Sequence, residues 1–484
     1  MTTIRWRNRA IPAGRRRKQA LGLGLRFFKS GHTPARQGFL RQLSPHRAGL
    51  IVDRVLVAIF LTLTASAFAG ANHAFAGNVA DAAASRDLTA LAADNRGAGR
   101  SPRATRLWMR GLHCYEGVGV KKDYQKAMRL FRRAAAAGSA RAMASIALLY
   151  AQGQVVPRDY LKARQWYTKS ARRGDSAAMC MLATEFLKGQ GGNQDSAAAL
   201  SWYRKAMAAG SPLGMYGLGI CRQKGLGERQ NLAKALAWYR QAAIAGMPAA
   251  IVSVGSCYVL GAGVPKDYKK AIYWFRKGVA AHSPKAMACL GKLYFRGAGV
   301  QQNYHKAMQW YKMAADAGDA AAMNNIGGLY LYGDGVQRNY RRAAAWFHRA
   351  AAAGSSAAML NIGGLYLRGR GVPPDPKKTR YWFRQAAKGG NVHAMVNMAA
   401  IDLNGLGGKP DHRRAIFWLG KAAAAGSPQA MYALGAIYYD GQGVPRNQTK
   451  GLELIHKAAA AGSRQARQAL AKIATAHQST APDK

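Results

Sequence analysis

AMNNIGGLYLYGDGVQRNYRRAAAWFHRAAAAG, residues 322–354, reads as two short helices and the turns that end them. Asn339 stands immediately before an apolar-periodic stretch, where its side-chain oxygen can accept the orphan N–H groups of a helix start. Gly354 closes that stretch, at the position where a left-handed residue follows a helix C-terminus. The loop between the helices is glycine-rich. One unit later, at Gly369-Arg370-Gly371-Val372-Pro373, it also carries a proline that stops helix continuation. Inside the first helix sits Gly327, three residues before Tyr330. A mid-helix glycine costs roughly 1 kcal/mol against alanine, so another element is expected to approach the backbone there.

The same landmarks recur every 36 residues in both directions. The closing slot runs from Gly138 to Gly462 with one substitute, His282. Trp166, Trp202 and Trp238 keep the step through to Trp418, and Asp or Asn holds the cap slot from Asp123 to Asn447. The spacing predicts ten hairpins, with helices of about Ala140–Ala151 and Tyr160–Arg173 in the second of them. The small residue at the Gly327 phase recurs from Gly111 and Ala147 to Gly435. Set against Trp and Tyr, it predicts knob-and-hole packing between neighbouring hairpins. No single hairpin can bury such a face, so the units must stack. The expected fold is all-α, a solenoid of ten 36-residue helix-turn-helix repeats over residues 103–462, with a capping helix and tail in 463–484.

The unit A-M-x-N-I-G-x-L-Y-x-x-G-x-G-V…D/N-Y-x-K-A-x-x-W-F-x-x-A-A-x-x-G resembles the Sel1-like repeat, a relative of the tetratricopeptide repeat. The resemblance covers about three quarters of the chain and implies a right-handed superhelix. It also implies an adaptor role in multi-protein assemblies, often in signalling or in the bacterial cell envelope. Cysteine-rich secreted members pair two cysteines per repeat. That pattern is absent here, so their disulfide stapling is not carried over. Relatives linked to penicillin binding or β-lactam hydrolysis make a β-lactamase-like enzyme the last of three readings, because this chain has no S-x-x-K pair.

At 484 residues the chain exceeds a single compact core, which suits an extended array. Lys+Arg number 72 against 21 Asp+Glu, a formal net charge of +51. Residues 1–102 account for +12 of it and residues 103–484 for +39. A folded region this basic attracts polyanions or acidic proteins. Cys114, Cys180, Cys221, Cys257 and Cys289 show no metal-ligand spacing and read as small core residues. No metal or cofactor is expected.

The N-terminus divides into a basic region, 1–54, an apolar stretch with A-x-A sites, 55–76, and an Ala/Gly/Ser-rich linker, 77–102. Val55–Ala69 is short for a membrane span, which needs roughly 20 residues, and is expected to be a signal-peptide core or an inner-membrane anchor. Either places the repeats outside the cytoplasm, periplasmic or secreted, or holds them at the inner membrane; the competing reading is a cytosolic chain in which this stretch is a buried apolar helix.

No H-E-x-x-H, G-x-S-x-G or P-loop motif occurs, so the chain is read as a non-enzyme and as a monomer. The expected partner is a protein or peptide, extended or acidic, lying along a groove lined by first helices. One phase assigned to that groove reads Ser145, Met181, Gly217, Ser253, Cys289, Asn325, Asn361 and Asn397. Its three asparagines can each donate and accept to a peptide backbone, or bond the next repeat instead. Lys292, Arg296 and Arg368 are expected on the same groove, where they could take acidic groups. The competing reading is a charge-driven polyanion binder, for envelope glycan, anionic lipid or nucleic acid. The lysine ladder of the second helices, from Lys126 to Lys450, reads as a solvated face. Arg222 and Asp402 stand where the aromatic belongs and are expected at loop mouths facing water.

Overall fold

The computed structural model describes residues 101–478. The basic region, the apolar stretch and the linker up to residue 100 lie outside the described residues, and so does the end of the tail. The described residues form 21 α-helices and no strand. They fall into two compact units, one ending at Gly389 and one beginning at Gly390.

The helices pair as the step of 36 demands. In the second hairpin they are Ala140–Gln152 and Tyr160–Arg172, within one residue of the expected bounds. All ten cap residues from Asp123 to Asn447 accept a hydrogen bond from the N–H three residues on, at 2.8–2.9 Å. The closing glycines adopt φ of 79–93°, and His282 takes the same left-handed turn at φ 53°. The first helices are capped as well. Ser139, Asp175, Asp319 and Ser355 each accept from the third N–H, directly after a closing glycine.

The packing at the small residue differs from the expectation. A methyl group built on Gly327 would lie 2.5 Å from the Phe347 ring, and one on Gly111 would lie 2.6 Å from Phe131. These rings belong to the second helix of the same hairpin, one residue after the tryptophan position. The knob is therefore the following aromatic, fully buried, and it closes the hairpin internally. The tryptophans are half-buried beside it. In the unit ending at Gly389 the apolar side chains run without a break from Leu107 to Leu365 through shared neighbours such as Val279 and Trp310. The other unit contains a cluster of Tyr432, Ile455, Ala458 and Ala466, in which the last helix, Arg464–Gln478, covers the end of the array.

Candidate functional site

Adjacent first helices meet through a polar link whose partners are 37 residues apart, one repeat plus one position. Trp108 Nε1 donates to Ser145 Oγ at 3.1 Å, and Asn361 Nδ2 donates to Asn324 Oδ1 at 2.9 Å. The Tyr216 hydroxyl and Ser253 Oγ lie 3.3 Å apart. The phase expected to face the groove therefore holds the crossing between repeats. Ser145 is 1 % and Asn397 4 % exposed, which removes both from an open surface. Asn325 is half-buried and hydrogen-bonds the Tyr311 hydroxyl, whose own pKa is raised by burial. The residue missed from sequence was the preceding one, Asn324, whose oxygen anchors the link.

The cations behave differently. Lys292 and Arg296 lie one turn apart on Pro284–Arg296, and Arg296 also acts on the Tyr311 hydroxyl that Asn325 holds. The structure thus brings Lys292, Arg296 and Asn325 together. Burial and the neighbouring Arg296 hold the Lys292 ammonium below the usual lysine range. Arg368, two repeats on from Arg296, is exposed, and its pKa is lowered by partial burial and by Arg370. None of the three forms an ion pair among the described residues. Next to Arg296 and Arg368 in the chain stand Phe295 and Leu367, half-buried, and at the repeat position between those two arginines stands Tyr332, 44 % exposed. At Gly364 a methyl group would meet nothing nearer than the Arg368 guanidinium at 3.8 Å, so the backbone there is open. Asn397 belongs to the other unit.

The lysine ladder is partly explained by local contacts. Lys450 Nζ lies 3.9 Å from the centroid of the Tyr438 ring, and Lys378 lies 5.3 Å from that of Tyr366. Lys270 reaches both the Tyr258 ring, at 5.8 Å, and the Asp267 carboxylate, at 3.3 Å. Each such lysine holds its ammonium over the aromatic of the first helix, a cation–π contact at an exposed site.

The two departures from the repeat pattern are not at water-facing loop mouths. Asp402 is 0 % exposed and ion-paired to Arg414 Nη2 at 3.3 Å. Arg222 is half-buried and ion-paired to Glu228, which Arg204 also holds at 2.7 Å. The partners are available because both sit in or next to the loop that follows the first helix. Burial pushes the thiols of Cys257 and Cys289 up to about 11 and that of Cys221 up to about 12, as inert core cysteines require. Among the described residues no group of His, Cys, Asp or Glu could hold a metal ion, and no helix is long and apolar enough to cross a membrane.

A family model, the Sel1 repeat, matches ten consecutive segments: 107–139, 140–175, 176–211, 212–247, 248–282, 284–319, 320–355, 356–391, 392–427 and 428–463. The chain is similar to a protective antigen of uropathogenic Escherichia coli with an SLR fold. The identity is 29%, over 74% of this chain and 76% of that one, at a TM-score of 0.41. It is also similar to a Sel1 repeat protein from Oxalobacter formigenes, 35% identical over 50% of this chain and 97% of that one, at a TM-score of 0.43. An immunity protein from Pseudomonas aeruginosa is 19% identical over 45% of this chain and 83% of its own length, at a TM-score of 0.37. No curated protein matches the sequence.

Proposed function

The chain belongs to the Sel1 repeat family, whose members are generally non-catalytic mediators of protein–protein interaction, and from that premise we propose that it is a scaffold gripping an extended acidic segment of a partner protein. The grip is the first-helix surface around Lys292, Arg296, Tyr332 and Arg368. One observation carries this reading: three first-helix cations have no ion pair among the described residues, and beside Arg368 the backbone at Gly364 is open. A desolvated lysine beside an arginine is relieved by an incoming carboxylate, which restores the charged form. The apolar residues beside the cations would take the side chains that alternate with the acids. Asn325 supports the rim from the Tyr311 hydroxyl, and Asn361 would serve the site by holding repeats in register through Asn324. Residues 55–76 are the basis for placing this scaffold in the envelope, exported or anchored.

The test is a pull-down with the full chain against Lys292→Glu/Arg296→Glu/Arg368→Glu, read by mass spectrometry at low and high salt. A partner protein that is retained by the unaltered chain at high salt and lost by the reversed chain supports the reading. Equal recovery by both chains would refute it. A haul of nucleic acid or glycan that vanishes steeply with salt would replace it by the polyanion reading.

A further inference from the structure

The side of the array formed by the second helices carries a second surface, independent of the first-helix site. In the unit ending at Gly389, every one of the eight second helices from Tyr124–Ala136 to Pro376–Lys388 carries at least two Lys or Arg. Asp316 is the one acidic residue within all eight. The same side exposes large apolar groups: Ile244 at 82 %, Leu161 at 58 %, Tyr273 and Tyr381 at 54 %, and Met313 at 47 %. At about 100° per residue these five positions fall within roughly 60° of the line through Tyr273 on a common helical wheel. Cationic and apolar groups are therefore mixed on one face. Its two exposed aromatics are also paired. Tyr273 stands edge-on to Trp274 at 5.8 Å and Tyr381 to Trp382 at 5.3 Å. Lys277 lies over both rings of the first pair, 4.8 and 5.3 Å from their centroids.

We propose that this face docks on an anionic lipid bilayer. The charge selects acidic headgroups, and the exposed side chains enter the boundary between headgroups and acyl chains. Ammonium groups held over aromatic rings suit that boundary, because the ring's apolar body can enter it while the cation stays at the depth of water and phosphate. A single-stranded nucleic acid would need bare ring faces for base stacking, and at the Tyr273–Trp274 pair Lys277 lies over both rings. It would also gain nothing from Ile244, Leu161 or Met313. In the other unit Phe417, Trp418 and Lys421 repeat the aromatic pair with its lysine, the ammonium 4.6 Å from the Phe417 centroid.

The experiment uses the full chain with vesicles of phosphatidylglycerol or of phosphatidylcholine. Flotation should recover it with the former and not the latter. The variant Ile244→Ser/Tyr273→Ser/Tyr381→Ser keeps every charge and should lose at least tenfold in vesicle affinity, with an unchanged circular dichroism spectrum as the folding control. Because residues 55–69 could themselves reach lipid, lysine labelling locates the contact on the unaltered chain. Phosphatidylglycerol vesicles should slow modification of Lys277, Lys312 and Lys388 several-fold and leave Lys285 and Lys292, on a first helix, unchanged. Uniform slowing, no slowing, or full affinity in the serine variant would overturn the proposal. Protection of those lysines by a single-stranded oligonucleotide but not by vesicles would assign the face to nucleic acid. The glutamate reversals at Lys292, Arg296 and Arg368 should leave vesicle binding intact, so this face and the first-helix site can fail separately.

Discussion

At the scale of single residues, the sequence displays roles that geometry forces and hides those that depend on a neighbour's side chain. The cap slots and the left-handed closing glycines were legible because each role belongs to one backbone position. Asp402 was not, because its partner Arg414 lies on the following helix and only the fold brings the two together. Glu185 belongs to the same class. It replaces an apolar residue on Ser176–Lys188, is 6 % exposed, and burial raises its pKa to about 7 against the opposing pull of Lys188 and Arg164. The folded-state pKa thus exceeds the unfolded one. The folded chain keeps a proton that the unfolded chain has lost, and stability falls as pH rises from about 4.5 through about 7. Glu185→Gln should remove that fall, and its melting temperature should pull ahead of the parent's between pH 5 and pH 8, by the equivalent of about 1–3 kcal/mol. Parallel melting curves across that range would show that the carboxyl is solvated.

At the scale of the helix, period and boundaries were readable, while the face each phase presents was not. A period of 36 says which positions are equivalent and leaves open whether the equivalent surface is a groove or a contact between helices. The Asn325 phase illustrates this. It was expected either to meet a ligand or to bond the next repeat, and at Asn361 it does the latter, donating to Asn324 across the repeat junction, while Asn397 is buried. The tryptophan row misled in the same way. It is the conspicuous residue, but the ring pressed against the small position is the next one, such as Phe347 against Gly327. Asn361→Ala should cost about 1 kcal/mol, because Asn324 Oδ1 loses its donor in a half-buried junction. The measurement is a chemical-denaturation midpoint with partner capture run alongside. A midpoint equal to the parent's together with weakened capture would return the asparagine to the ligand.

At the scale of the whole chain, repetition made the fold class readable, since ten copies of one pattern average out every local ambiguity. The site was less so, because binding surfaces on a repeat array arise where copies differ. Lys292, Arg296 and Arg368 are such differences, and only the absence of an ion pair to any of the three among the described residues distinguishes them from drift. The most direct measurement is site-specific photo-crosslinking in the native host. A photoreactive phenylalanine derivative is placed at Tyr332, on a first helix, or at Gln309, on the exposed side of a second helix. The account predicts a discrete protein adduct from position 332, none from position 309, and loss of the adduct when Arg296→Glu and Arg368→Glu are added. An adduct from position 309 alone, or one from position 332 that survives both charge reversals, would contradict it.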